Sequence, residues 1–319
     1  MNTRIRYIDL AKGLTMLLVL VGHIDTIEPV KHLIYSFHMP LFFLLSGYFM
    51  KLEGDIQVEI KKSFRSLIVP YIVVALFIRI YQVILNAYIN APVVDLQDIL
   101  SVPLVMWRIG DTVVSAGAIW FLVALFGGKI YLLWALKQRY PYAIVAFGAF
   151  VSLMITSVTH IVVPCCIQHM LTCAPFLLIG SYLRKYKIFD KKIDTITLLA
   201  LAIPILCYAT SIKMGMRMNS MSYFAYATAT IISIVFIYIL KELDETNLGV
   251  FRKINDIFIW CGRYSLVILC VHSVEARFEW FSLPHYLFPV EILVRFTYIV
   301  VLSYILIKIP FVRKIFNLK

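Results

Sequence analysis

Lys12 and His23 are two polar residues inside one apolar run, eleven positions apart. At 3.6 residues per turn that is almost three whole turns, so both fall on one helix face, about 16 Å apart along the axis. A face bearing both cannot point into lipid. His38 follows in Ser36-Phe37-His38-Met39-Pro40, at the start of a second apolar run that returns across the membrane. Two imidazoles at similar depth on antiparallel neighbours can share a cavity, and Arg79 on the third run comes to a similar depth. His272 is a further intramembrane candidate. Such a polar pocket could serve catalysis, proton relay or transport. Imidazole takes and returns protons near neutral pH, and a buried cation holds anions. The competing reading of the first helix is central packing, with Lys12 at the headgroups and His23 a satisfied core histidine.

Lipid is the background against which these residues stand out. The 319 residues are 61% hydrophobic and only 15% charged, against roughly 25% charged in an ordinary soluble domain. Those figures exclude a disordered chain, a nucleic-acid-binding domain and a small disulfide scaffold. Apolar runs long enough to span predict helices near 10–27, 33–50, 67–88, 116–136, 142–159, 165–183, 193–212, 222–240, 257–275 and 290–309. The expected fold is an all-α integral membrane bundle of about ten transmembrane helices, one domain over 1–319, with no soluble domain and no signal peptide. The longest polar connection is 89–115, with Asp95, Asp98, Arg108 and Asp111.

Ionisable residues within spans cost at least about 2.5–3.5 kcal/mol each. Besides those above they are Asp25, Lys129, Arg263 and Arg295. The last three read mainly as snorkelling from helix ends. Asp25 stands two residues from His23 and points elsewhere on the helix. Of the 30 Lys and Arg residues, an N-in arrangement puts twenty on inner segments and five on outer ones. That asymmetry predicts both termini in the cytoplasm. It accounts for the net charge of +12 without nucleic acid. The six cysteines read as free thiols packed like small apolar residues. Cys165, His169 and Cys173 share a helical spacing, but no flanking carboxylate supports a metal, and none is expected.

Arg6-Tyr7-Ile8-Asp9-Leu10-Ala11-Lys12-Gly13, with an apolar run to Gly22-His23, resembles the opening of the membrane-bound acyltransferase 3 family. That family sets a basic residue and a histidine with ten residues between them. Here Lys12 fills a position where arginine is commoner. Ser36 to Phe43 with Ser46-Gly47-Tyr48 is similar to its second-helix signature. Lys62-Ser63-Phe64-Arg65, running to Pro70-Tyr71, stands where the family shows two basic residues three apart. Trp120-Phe121-Leu122 and Gly262-Arg263-Tyr264-Ser265-Leu266, running to His272, resemble later motifs. The fucose 4-O-acetylase-like branch is the nearest in flavour.

The resemblance implies transfer of an acyl group, usually acetyl from acetyl-CoA, to a hydroxyl of a cell-envelope glycan or lipid-linked sugar, in the inner membrane. Many members add a periplasmic domain. The expectation here is that acceptor choice resides in the membrane unit or its outer loops. Lys12, Lys62, Arg65 and Trp120 are the expected donor-binding residues. His23 is the expected general base, and His38 shapes the acceptor pocket or fixes the His23 tautomer. Arg79 is a weaker candidate for stabilising charge on the thioester carbonyl. An acyl-histidine intermediate stays open. The alternative is a polytopic transporter or exporter of a polar envelope precursor, whose two-fold repeat symmetry the sequence does not display.

Overall fold

A computed structural model describes residues 4–24, 27–88, 99–105, 107–109, 112–114, 117–155, 163–194, 197, 203, 223–245, 249–278, 283–284 and 287–318. Most of the expected helix at 193–212, Cys207, Asp25 and most of the 89–115 connection lie outside these residues. The described chain is helical, with one short antiparallel pair, β1 (Trp107–Ile109) and β2 (Thr112–Val114).

Helix α1 (Arg6–Gly22) ends at the residue before His23, whose backbone N–H donates to the Leu20 carbonyl at 3.0 Å, while the Ile24 N–H donates to Val21 O. Helix α2 (Glu28–Tyr48) opens on Pro29, where a missing N–H costs nothing. It then runs on through Pro40, which sits inside the helix. The ring removes one ladder bond, and the helix persists because its neighbours bury it: Ile34 to Leu41 are all buried. Asp55 caps α3 (Ile56–Ser63) by accepting from the Gln57 N–H at 3.0 Å. A π-helical turn at Phe64–Ile68 carries α3 into α4 (Val69–Tyr88), with Val69 N–H donating to Phe64 O, five residues back. Pro70 brings no N–H of its own, and the wider turn precedes the point where a regular ladder would need it. The expected helix at 67–88 therefore starts earlier, at Ile56.

The remaining helices are α5 (Trp120–Leu136), α6 (Pro141–Met154), α7 (Ile167–Lys185), α8 (Tyr223–Glu245), α9 (Gly249–Arg263), α10 (Ser265–Phe278), α11 (Phe288–Leu306) and α12 (Pro310–Ile315). The single helix expected at 257–275 is corrected: α9 and α10 meet at Tyr264 with an 80° bend. Apolar composition reports length across a membrane and is blind to angle.

Among the described residues five helices are long and apolar enough to cross a membrane, or six with the bent pair. Neither α1 nor α2 is one of them. α1 has 17 residues, and Lys31, His32 and His38 dilute the apolar run of α2. Their faces go to protein. The chain is a multi-pass membrane protein.

Packing sorts the chain into two compact units. The first takes residues 1–50, 176–268 and 281–304; the second takes 51–175, 269–280 and 305–319. α7, α10 and α11 contribute to both.

In the first unit α1 lies hard against α9. A Cβ on Gly13 would stand 1.8 Å from Phe258 O, and one on Gly262 would stand 1.7 Å from Asp9 O. Only hydrogen fits at either point, so the backbones touch. Ile8, Leu10, Leu41, Leu44, Phe189 and Tyr238 form the core around this crossing. Arg6 ties the N-terminus of α1 to the end of α8 and to α9. Its Nε donates to both Asp244 oxygens at 3.0 Å and Nη2 to Asp256 Oδ1 at 2.8 Å. In the second unit Tyr71 donates from α4 to the carbonyls of Ser101 and Val102. Ser152 Oγ joins α6 to α7 through Gln168 O at 2.7 Å.

Candidate active site

Lys12 and His23 keep the relation that their spacing predicts. Met16 and Val19 lie between them on the same face and are buried, so the stripe faces protein. His23 sits at the C-cap with right-handed backbone angles, at the end of α1 rather than deep within it. It is partly exposed.

His38 is buried at 3% exposure. Its Nδ1 stands 2.7 Å from Ile34 O, one turn back on α2. A carbonyl only accepts, so Nδ1 carries the hydrogen. The neutral ring then presents Nε2 as an acceptor. The backbone, not His23, fixes this tautomer. Tyr35 links the two histidine neighbourhoods. Its hydroxyl donates to Gly22 O, the residue before His23, and its ring lies 5.7 Å from that of His38. A Cβ on Gly22 would meet the Tyr35 ring at 2.9 Å, which is why the close approach needs glycine.

The other end of α1 gathers charge. Lys12 Nζ lies 3.6 Å from Asp9 Oδ1, and Arg263 Nε lies 3.9 Å from Asp9 Oδ2. Lys12 also stands 5.1 Å above the ring of Phe49. Arg184, at the end of α7, reaches the same ring at 5.7 Å and the Tyr48 ring at 5.9 Å. Its Nη1 donates to Tyr48 O at 3.3 Å. Helix ends explain the gathering: α2, α7 and α9 all finish here, and cations are favoured at C-termini. Two of these cations, Lys12 and Arg263, thus share one carboxylate. Lys12 is no lone interfacial lysine, and Arg263 is paired as well as partly exposed.

The other candidates belong to the second unit. Lys62 and Arg65 are exposed, with Lys62 3.6 Å from Glu59. Lys129, expected to snorkel, instead donates to Glu59 Oε1 at 3.2 Å, and both side chains are largely covered. Trp120 opens α5, buried, with its ring centroid 4.9 Å from that of His169. Cys166 Sγ points at Trp120 O. Arg79 is buried and donates from Nη1 to Gln82 Oε1 at 2.6 Å. Of the residues expected to line one pocket, His23 and His38 belong to the first unit and Arg79 to the second. His272 Nδ1 lies 3.3 Å from Glu275 Oε2, both groups almost fully enclosed.

Arg295 is corrected too. It does not snorkel but bonds Glu291 at 3.0 Å one turn away, with both side chains buried. Cys165 leaves the expected helical stripe, because it has a left-handed backbone (φ 61) before α7 begins. The described cysteines are free thiols. Among the described residues no group of three His, Cys, Asp or Glu could hold a metal ion.

Sequence reasoning misses Tyr35, Arg184, Glu59 and Glu275. Tyr35 and Arg184 gain meaning only from tertiary neighbours. Glu59 and Glu275 carry a local signal, standing three residues from Lys62 and His272.

No curated protein and no solved structure matches the chain. A family profile described as an acyltransferase domain matches residues 5–308, nearly the whole length and every motif quoted above. The chain belongs to the acyltransferase 3 family.

Proposed function

We propose that this membrane acyltransferase moves acetyl from cytoplasmic acetyl-CoA to a hydroxyl of a cell-envelope glycan or lipid-linked sugar, in the manner of the fucose 4-O-acetylase-like branch. The observation that carries the reading is the polarity of α1. A cation cluster stands at one end, histidines stand at the other, and a covered face joins them. Donor phosphates suit the first end through charge-assisted hydrogen bonds. The thin, largely uncharged pantetheine arm suits the stripe between. The thioester then comes to the histidine end.

His23 is the proposed base. The acceptor hydroxyl gives its proton to the imidazole as its oxygen attacks the thioester carbonyl. Collapse breaks the C–S bond, and the imidazolium returns the proton to the departing CoA thiolate. His38, with Nδ1–H tied to Ile34, offers Nε2 to a hydroxyl of the acceptor. An acyl-histidine route would use the same residues. Lys62, Arg65 and Trp120 remain proposed donor contacts on the strength of the family motif. A hollow of about 330 Å³ lies along α1, α2 and α8, lined only by apolar side chains, Ile34 and Phe37 beside His38 among them. It favours a lipid-linked acceptor over a free glycan.

The proposed topology has ten helices in the inner membrane, both termini cytoplasmic, as the basic asymmetry asks. Cysteine labelling at Asn2 and Lys319 in intact cells tests it, and outer labelling at either end rejects it. The function is tested by mass spectrometry of envelope glycans and lipid-linked precursors from cells with and without the gene. Loss of one acetyl increment from a defined sugar is the expected result. An unchanged acetyl profile rejects it.

A further inference from the structure

Two cations held on one aromatic ring repel each other, and Asp9, the carboxylate beside Lys12, is shared with Arg263. Among the described residues Arg184 meets no carboxylate; it has the Tyr48 carbonyl and the rings of Tyr48 and Phe49. A ring orders a cation without neutralising it. Each contact attracts the cation to the ring face, and the ordering removes part of the entropy that a flexible side chain loses on binding. The cluster therefore keeps an excess of positive charge in a fixed place. A compact polyanion answers it.

We propose that Lys12, Phe49 and Arg184 form a clamp for the nucleotide end of acyl-CoA in which the two cations read different phosphates. This rests on the acyl-CoA reading above and deepens it. The order of groups in the donor decides the assignment. From the thioester the chain runs through pantetheine to the diphosphate, and only then to the ribose with its 3′-phosphate. Lys12 shares the α1 stripe with His23, so it meets the diphosphate as that arm emerges. Arg184 comes to the ring from α7, off that stripe, and takes the group farther out. A phosphate monoester presents several equivalent oxygens, which the guanidinium fork engages in pairs. Arg184 then determines the preference for CoA over its dephospho form, and Lys12 supports both.

The test is calorimetry of the full chain in nanodiscs with CoA and with dephospho-CoA. Loss of one charged hydrogen bond corresponds to roughly 10- to 150-fold in affinity. Wild type should prefer CoA by that margin. Arg184→Gln should erase the preference and leave dephospho-CoA binding as it was. Lys12→Gln should weaken both ligands equally. Arg184 also caps α2, so a purely structural role would lower thermal stability and weaken both ligands together, and that result overturns the proposal. A second measurement needs no variant: adenosine 3′,5′-bisphosphate should displace CoA from wild type far better than adenosine 5′-monophosphate. Equal displacement overturns the clamp. Equal binding of CoA and dephospho-CoA by wild type overturns the clamp alone. Binding of neither overturns the acyl-CoA reading, and the clamp with it.

Discussion

In the first unit Lys12 and Arg184 lean on the ring of Phe49, with a single carboxylate, Asp9, between Lys12 and Arg263. In the second unit Lys129 and Lys62 converge on Glu59, and Arg79 on Gln82. The bonded lysine Lys129 is mostly covered and has a direct hydrogen bond to a carboxylate. Such a bond satisfies a charge and holds two helices, here α3 and α5, in register. A ring holds a charge and leaves its electrostatic demand in place. On the clamp proposed above, the difference separates Lys129, which stabilises the fold, from Lys12 and Arg184, which await a ligand, although both kinds look alike in a sequence.

The sharpest way to break that comparison is to remove the chemistry from the first unit while leaving its cations. His23→Ala should cut turnover by roughly 10²- to 10⁴-fold, the range for loss of a general base. Acyl-CoA affinity should stay near wild type in calorimetry. A variant that fails to bind the donor instead would make His23 part of the grip.

Lys12→Gln should do the opposite. The apparent KM for acyl-CoA should rise roughly 10- to 150-fold, with kcat falling less, and Lys12→Arg should keep much of the activity because guanidinium also binds phosphate. Steady-state kinetics in nanodiscs reads both. An unchanged KM would return Lys12 to the headgroups.

His38→Gln comes next, with partial transfer surviving at about a tenth of wild type, the size of one neutral hydrogen bond. Complete loss with normal folding would mean that the two histidines act as one unit.

Lys129→Met should be kinetically the mildest. Its KM for acyl-CoA should match wild type, while thermal denaturation in detergent shows a loss of about 1–3 kcal/mol from the carboxylate left short of a partner. A raised KM at unchanged stability would make Lys129 a donor contact and erase the contrast.

Much of the first unit is legible in the sequence. Lys12, His23 and His38 announce themselves because lipid makes ionisable residues costly, and helical phase then puts two of them on one face. The tautomer of His38 is nearly legible too, since Ile34 lies one turn back. Arg184 is not, for its partner Tyr48 lies 136 residues away in the chain. Arg295 shows a local signal overlooked: Glu291 four residues earlier predicts the pair that the structure contains. The bend at Tyr264 has no proline or matched glycine to mark it. Gly262 is there for contact with α1, which sequence periodicity does not reveal.

The crossing of α1 on α9 has a consequence for how the protein is made. The partners that Arg6 needs, Asp244 and Asp256, come 238 and 250 residues later. At roughly 5–20 residues per second, that interval lasts about 12–50 s. Throughout it α1, short and bearing Lys12, sits in or beside the bilayer without the backbone it is shaped to touch. Newly made α1 and α2 must therefore be shielded as a pair, by the insertion machinery or by each other through Tyr35. Chains truncated before Gly249 should be the ones that membrane quality control removes.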